Sequence, residues 1–163
     1  MGVSQEATMS LQFDVGDPAI DPDHRALAQL LEALERVCMD PATPDCRCDY
    51  CPERKAHACH GSLREICTKM QTLLLDHFQR EQELMNSLPH NPAVKIHCER
   101  HRREHVSFST RYNLAAAQLS TCQPAIAARE IEVLVFDWIR SHALEFDAKL
   151  AELLHRPVEG AYR

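Results

Sequence analysis

The clearest structural signal in the sequence is VKIHCERHRREHVSFSTRYNLA, residues 94–115, which carries one apolar stripe with the period of an α-helix. The stripe recurs every three or four residues and contains Val94, Cys98, His101, His105, Phe108, Tyr112 and Ala115. Asn91 and Pro92 stand just before it, in the order typical of a helix start. The stretch therefore predicts a helix that begins near Asn91 and carries two histidines on its apolar face.

Three further segments show the same period. The first predicted helix runs from about Asp21 to Cys38 and places His24, Leu27, Leu31, Leu34 and Cys38 on one face. The second is predicted to open at Ser62, where Ser62-Leu63-Arg64-Glu65 fits a capping box. Its face contains Leu63, Ile66, Met70, Leu73, His77, Glu81, Leu84 and Leu88. The fourth begins near Gln123 and carries Ile131, Leu134, Val135, Trp138, His142 and Leu150.

Chain length and glycine placement favour one all-α domain. The chain has 163 residues, a usual length for a single domain. No glycine occurs between Gly61 and Gly160, as expected of long helices with short connections. We predict one domain over residues 1–163, an antiparallel up-down four-helix bundle. Two segments lie outside the bundle: a non-helical N-terminal arm, residues 1–20, and a cysteine-rich insert between the first two helices, residues 39–61.

Composition and charge exclude several classes of protein. Hydrophobic residues make up 45% and charged residues 26%, which excludes a largely disordered chain. No apolar run approaches the ~18 residues of a membrane span. The net charge of −6 argues against nucleic acid and anionic membranes as partners. The start, MGVSQEATMS, has no basic or apolar export signal, so we expect a cytoplasmic protein.

Polar side chains interrupt every predicted apolar face. They are His24 on the first helix, His77 and Glu81 on the second, His101 and His105 on the third, and His142 and Asp147 on the fourth. A lone histidine on such a face is usually a hydrogen-bonded core residue, but seven polar residues at matching places require another explanation. Imidazole plus carboxylate suits iron, copper, zinc or nickel. Seven ligands are too many for one ion, so the pattern predicts two ions that share two bridging carboxylates.

Four local motifs carry a family resemblance. They are Phe13-x-Val15 with Ile20-Asp21-x2-His24, then His77-Phe78-x2-Glu81 continuing as Glu83-Leu84-Met85, then His101-x3-His105-x2-Phe108, and finally Trp138-x3-His142-x4-Asp147. In these four motifs the sequence resembles the bacterial hemerythrin-like family. The resemblance covers about residues 11–154, apart from the insert.

The resemblance implies a non-haem di-iron centre that binds O2. His101, His105 and His142 would hold one iron, and His24 and His77 the other, which keeps an open position where the family binds O2 as a peroxide. Glu81 and Asp147 would bridge the irons, with an oxo or hydroxo group between them. The apolar walls of the pocket would come from Leu27, Phe78, Phe108, Leu134 and Trp138, which equally suit plain core packing.

The sequence departs from the family pattern in three places. The insert is unusually long and rich in cysteine. The stretch from Glu81 to the histidine pair is several residues longer than usual. His97 with His101 is therefore an alternative pair. We prefer His101 and His105 because Phe108 follows them at the family's spacing. His142 and Asp147 are five residues apart, which an ideal helix would splay by about 140°. A local π-type widening would bring the two together.

The insert holds a dense cysteine cluster, Cys46-x-Cys48-x2-Cys51-x7-Cys59, with His57 and His60 beside the last cysteine. Structural zinc sites take four Cys or His ligands, often with Cys-x2-Cys loops, and zinc would order a stretch too polar to fold through its own core. The alternatives are redox-active thiols or disulfides, and inert thiols. An ordered insert would offer a docking surface for a protein partner. Cys38, Cys67, Cys98 and Cys122 are expected to act as small apolar residues, and Cys38 and Cys67 could meet where the insert begins and ends.

Three functions compete at this point. The leading one is O2 binding at a di-iron centre, for storage, delivery or sensing, which makes O2 the partner and the protein not an enzyme. The second is a di-iron enzyme: a peroxidase or oxidase, or a protein that handles nitric oxide or repairs iron centres. The third is a structural or metal-storage bundle whose histidines bind zinc or adventitious metal.

Overall fold

The computed structural model describes residues 13–37, 53–120 and 124–156, and within these ranges it contains helices and no strand. The four long helices are α1 (Asp21–Val37), α2 (Glu53–Ser87), α3 (Pro92–Ala117) and α4 (Pro124–His142). A 3₁₀ turn, Gln118–Ser120, follows α3, and α4 continues through a π-helical segment, Ala143–Asp147, into α5, Ala148–His155. The all-α fold class is confirmed. We call residues 124–155 the C-terminal helix.

The helices pack as a four-helix bundle. Helix α1 packs on α2 and α4, and α3 packs on α4 and α2. Helices α2 and α3 run antiparallel: the Tyr112 hydroxyl donates to the Cys67 carbonyl oxygen over 2.8 Å, and farther along α2 the Arg102 guanidinium donates to Gln82 over 2.6 Å. No helix within the described ranges is both long enough and apolar enough to cross a membrane.

Local sequence explains where α1 and α3 begin. The Asn91 side chain accepts a 2.9 Å hydrogen bond from the Val94 backbone N–H, and Pro92 occupies the first helical position, as predicted. At α1, the Asp21 carboxylate accepts from the backbone N–H groups of Val15 and Gly16 over 2.7 and 3.1 Å. Asp21 therefore ties the preceding segment to the start of the helix.

Helix α2 corrects one prediction. It begins at Glu53, so the predicted start at Ser62 was wrong, and residues 53–61 of the predicted insert are helical. The capping-box pattern at Ser62 had suggested a helix start, but the helix runs through it and through Gly61, where one glycine costs only about 1 kcal/mol relative to alanine. A helix of 35 residues that packs along the bundle absorbs that cost. The remainder of the insert, residues 39–52, lies outside the described residues.

The core consists of two apolar clusters. The larger contains Leu31, Leu63, Met70, Tyr112, Ile131 and Ile139, and the smaller contains Ile20, Met85, Leu88, Val94, Cys98 and Leu150. Along every helix the polar residues of the predicted metal site fall between members of the two clusters; in α2, His77 and Glu81 lie between Leu74 and Met85. A polar layer therefore separates two apolar layers of the bundle.

The part of the N-terminal arm that the structure describes, from Phe13 onward, packs against the bundle. Phe13 is buried, and its ring meets Phe136 edge-on with 5.9 Å between ring centroids. Val15 packs against the core from a half-buried position. Gly16 has a φ of +83°, a conformation that favours glycine, and lets the chain turn toward α1.

Candidate metal centre

The seven polar residues picked out from the sequence are all buried in the middle of the bundle. They are His24 from α1, His77 and Glu81 from α2, His101 and His105 from α3, and His142 and Asp147 from the C-terminal helix. Glu81, His101 and Asp147 have no solvent exposure. Their ligand atoms form two compact groups, each with all its atoms within 4.8 Å of one another.

The first group combines Glu81 with His101, His105 and His142. The Nε2 atoms of His101 and His105 lie 3.3 and 3.0 Å from Oε2 of Glu81. The Nε2 atom of His142 is 2.9 Å from that of His101 and 3.0 Å from that of His105. Three imidazole nitrogens and a carboxylate oxygen thus face one point.

The second group combines His24, His77 and Asp147. Oδ2 of Asp147 lies 3.0 Å from Nε2 of His24. The other oxygen, Oδ1, lies 3.2 Å from Nε2 of His101 and 3.1 Å from Nε2 of His142, both in the first group. Asp147 therefore spans the two groups with its two oxygens.

The π-helical segment explains how Asp147 reaches this position. Asp147 lies five positions after His142, and an α-helix would turn the two side chains about 140° apart. The segment Ala143–Asp147 widens the turn, so that both side chains enter the same space. The predicted widening is confirmed.

The site fits cations because its buried lone pairs lack other partners. Nε2 of His77, both carboxylate oxygens of Glu81 and Oδ1 of Asp147 make no well-formed hydrogen bond within the described part of the chain. A buried polar atom without a partner costs about 1–3 kcal/mol. Cations placed between these nitrogens and oxygens would satisfy several such atoms at once.

The ionisation of the two carboxylates of the cluster also favours cations. Burial alone would raise the pKa of Glu81, but the surrounding imidazoles outweigh it and hold the pKa well below the usual range. The pKa of Asp147 is lowered in the same way despite burial and the nearby charge of Glu81. Burial opposes charge on His101 too, yet the two carboxylates raise its pKa to about 9. At His105 burial dominates and lowers the pKa to about 4.

Hydrogen bonds behind the cluster orient two of its histidines. Nδ1 of His24 lies 2.7 Å from the Phe13 carbonyl oxygen, so it carries the proton and donates. Nδ1 of His77 lies 3.3 Å from Oδ2 of Asp23. Both contacts orient the ring so that Nε2 faces the inner side of the cluster, where it can act as a metal ligand. Asp23 was not among the predicted residues, because an aspartate in the first turn of a helix is ordinary.

Aromatic rings enclose one side of the cluster. Phe78 stacks on His105 with centroids 4.0 Å apart, Trp138 stacks on His142 at 4.4 Å, and Phe108 stacks on Trp138 at 4.0 Å. These three predicted wall residues lie beside the site. The other two, Leu27 and Leu134, pack with the larger apolar cluster.

One wall residue was not predicted: Phe146, which stacks on His142 at 5.2 Å. The only sequence signal was its place between His142 and Asp147. The alternative ligand His97 is half-buried and stacks on Phe146, with 6.3 Å between ring centroids. His97 belongs to neither group of converging ligand atoms, whereas His101 and His105 both do.

The predicted zinc cluster lies mostly outside the described residues, which exclude Cys46, Cys48 and Cys51. Cys59 lies near the start of α2, with Sγ 4.0 Å from the carbonyl oxygen of Val37 at the end of α1. Nε2 of His60 is hydrogen-bonded to the Leu119 carbonyl oxygen. This leaves Cys59 beside the two ends of the insert.

The other cysteines were expected to be small apolar residues. Cys67 and Cys98 are buried, as predicted, and burial raises the pKa of Cys67 to about 11. Cys38 and Cys122 lie outside the described residues, so the suggested meeting of Cys38 with Cys67 stays a prediction.

Comparison with known proteins gives one match. The family profile described as hemerythrin HHE cation-binding domain matches residues 15–154, which include all seven clustered residues. No curated protein and no solved structure matches the chain. Because the profile covers most of the chain, the protein belongs to the hemerythrin HHE cation-binding domain family.

Proposed function

We propose that the protein binds O2 reversibly at a di-iron centre. In this proposal His101, His105 and His142 hold one iron, His24 and His77 hold the other, and Glu81 and Asp147 bridge the two. The observation that carries it is the position of Asp147, whose Oδ2 faces His24 while Oδ1 faces His101 and His142. A carboxylate placed in this way suits a bridge between two ions.

The unequal number of histidines in the two groups supports an open coordination position for O2 on one side of the centre only. Three imidazoles belong to one group and two to the other. With two shared carboxylates, the side of His24 and His77 has one protein ligand fewer. Iron bound there would supply the redox chemistry that captures O2, at the coordination position these residues leave open.

The surroundings of the metal site favour reversible O2 binding over catalytic turnover. Among the described residues four carboxylates are buried, and two of them, Asp17 and Asp21, lie outside both groups of ligand atoms. Glu81 and Asp147 are therefore the acidic ligands available, and their two negative charges balance part of the +4 of a diferrous pair. Phe78, Phe108 and Trp138 exclude water on one side. A histidine-rich, dry site stabilises high oxidation states less than a carboxylate-rich one does.

Metal analysis with anaerobic reconstitution tests the first half of the proposal. Apoprotein titrated with Fe(II) should bind two ions per chain. His77→Ala and His105→Ala should each remove a ligand and reduce tight binding to about one ion, while His90→Ala, at an exposed position, should match the wild type. A wild-type protein that binds no Fe(II) contradicts the proposal.

Optical spectroscopy tests the second half. The reduced protein exposed to air should develop a visible charge-transfer band that disappears when O2 is removed. Slow oxidation to the diferric form should follow. Rapid, repeated consumption of O2 or peroxide in the presence of a reductant, with no such band, would contradict O2 binding and indicate a di-iron enzyme.

A further inference from the structure

Asp23, in the first turn of α1, connects two residues of α2. Its Oδ2 atom lies 3.3 Å from Nδ1 of His77, and the same oxygen accepts a hydrogen bond from Nη1 of Arg80. The Asp23 side chain is 12% exposed and that of Arg80 is 41% exposed. One mostly buried carboxylate is thus shared between an imidazole of the cluster and a cation at the surface.

This contact distinguishes His77 from three other histidines of the cluster. Nδ1 of His24 faces a neutral backbone carbonyl. The outer nitrogens of His101 and His142 have no hydrogen-bond partner in the part of the chain that the structure describes. A carboxylate behind a metal-binding imidazole fixes its tautomer and makes its inner nitrogen a stronger donor than a neutral acceptor does.

Arg80 contacts the same oxygen of Asp23 and has the opposite effect on His77. Its positive charge withdraws part of the negative charge that Asp23 presents to His77. Because Arg80 is partly exposed, its loss leaves Asp23 and His77 in place and frees the carboxylate for the imidazole. Removing the carboxylate and removing the guanidinium should therefore change the site in opposite directions.

We infer that Asp23 is a positioning residue that strengthens the bond between His77 and its metal ion, and that Arg80 limits this effect. The inference rests on the proposed function, because it assumes an ion on the side of His24 and His77. It means that two residues outside the ligand set, Asp23 and Arg80, adjust the metal affinity on the side of the centre that has fewer ligands.

Anaerobic Fe(II) titration against a chromophoric chelator tests the inference without O2. Asp23→Asn should lower the affinity for the more weakly held of the two ions by about 10- to 100-fold. Arg80→Met should raise the affinity for the same ion. Asp23→Glu keeps the charge and should lie closer to the wild type than Asp23→Asn. Asp76→Asn, which removes an exposed carboxylate next to His77 in sequence, should match the wild type.

A second readout follows His77 directly. In Co(II)-loaded protein the exchangeable Nδ1 proton of His77 should give a shifted NMR signal that moves in Asp23→Asn and moves oppositely in Arg80→Met. Unchanged affinity and signal in Asp23→Asn, or changes of the same sign in both variants, would overturn the inference. If the wild-type protein binds two ions but no O2, the proposed function is contradicted and this inference still holds. If it binds no metal, both are contradicted.

Discussion

Nε2 of His142 lies 3.1 Å from Oδ1 of Asp147, although the two residues are five positions apart along one helix. The π-helical segment Ala143–Asp147 makes this contact, since it takes up one residue more than an α-helical turn. The widened turn is therefore part of the metal centre. Leu144, inside the segment, is 70% exposed and contributes little to the core.

Two changes of chain length at this place should have opposite outcomes. Deletion of Leu144 turns the five-residue spacing into four, which a regular α-helix also places on one face. The deleted chain should fold and still bind two metal ions. Insertion of one alanine after Leu144 should instead rotate Asp147 by about 100° and abolish the second ion. Metal stoichiometry with circular dichroism checks both variants. A folded deletion variant that binds no metal would contradict this account.

The alternative histidine pair can be resolved by substitution. His97→Ala should keep both ions, because His97 lies outside the two ligand groups and packs on Phe146. His105→Ala should lose at least one ion, since Nε2 of His105 lies 3.0 Å from Oε2 of Glu81. Iron content per chain after reconstitution measures the difference. Loss of an ion in His97→Ala with full content in His105→Ala would favour the other pair.

Much of this molecule could be predicted from the sequence, and what escaped prediction depends on tertiary contacts. Periodicity and caps located α1, α3 and α4, since Asn91 and Pro92 act through local hydrogen bonds and sterics. The clustered ligands were visible because polar residues on apolar faces are costly. Asp23 escaped because its partner His77 lies on another helix. The predicted start of α2 was wrong because the capping-box pattern at Ser62 was read as a helix start, whereas the helix packs along the bundle and begins at Glu53.

Two glycines should respond in opposite ways to alanine. Gly61 lies exposed inside α2, and an added Cβ would have open space around it, so Gly61→Ala should stabilise the fold by about 0.5–1 kcal/mol. Gly16 also has open space, but its φ of +83° strains any L side chain. Gly16→Ala should therefore destabilise by about 1–2 kcal/mol. Urea unfolding at equal metal content measures both. Stabilisation by both substitutions would show that backbone conformation is not the controlling factor.

The last prediction concerns the cysteine cluster, which remains a sequence-based expectation. We expect Cys46, Cys48 and Cys51 to bind one zinc ion with a fourth ligand, independently of the iron site. Three thiols within six residues are a stronger signal than one Cys-x2-Cys pair. Contacts at the start of α2 bear on the fourth ligand. His60 already bonds the Leu119 carbonyl, whereas Cys59 lies beside the end of α1, where the insert begins.

Zinc content and thiol titration under reducing conditions test this expectation. Cys48→Ser should lose the zinc and keep the iron. His60→Ala should keep both metals, because Nε2 of His60 is already hydrogen-bonded to the Leu119 carbonyl oxygen. A zinc chelator should expose about four additional thiols to titration in the wild type, in line with a four-ligand site. Zinc-free protein in which Cys46, Cys48 and Cys51 titrate freely, and whose insert resists protease as before, would contradict structural zinc. Disulfides that form on oxidation of such protein would instead indicate a redox-active insert.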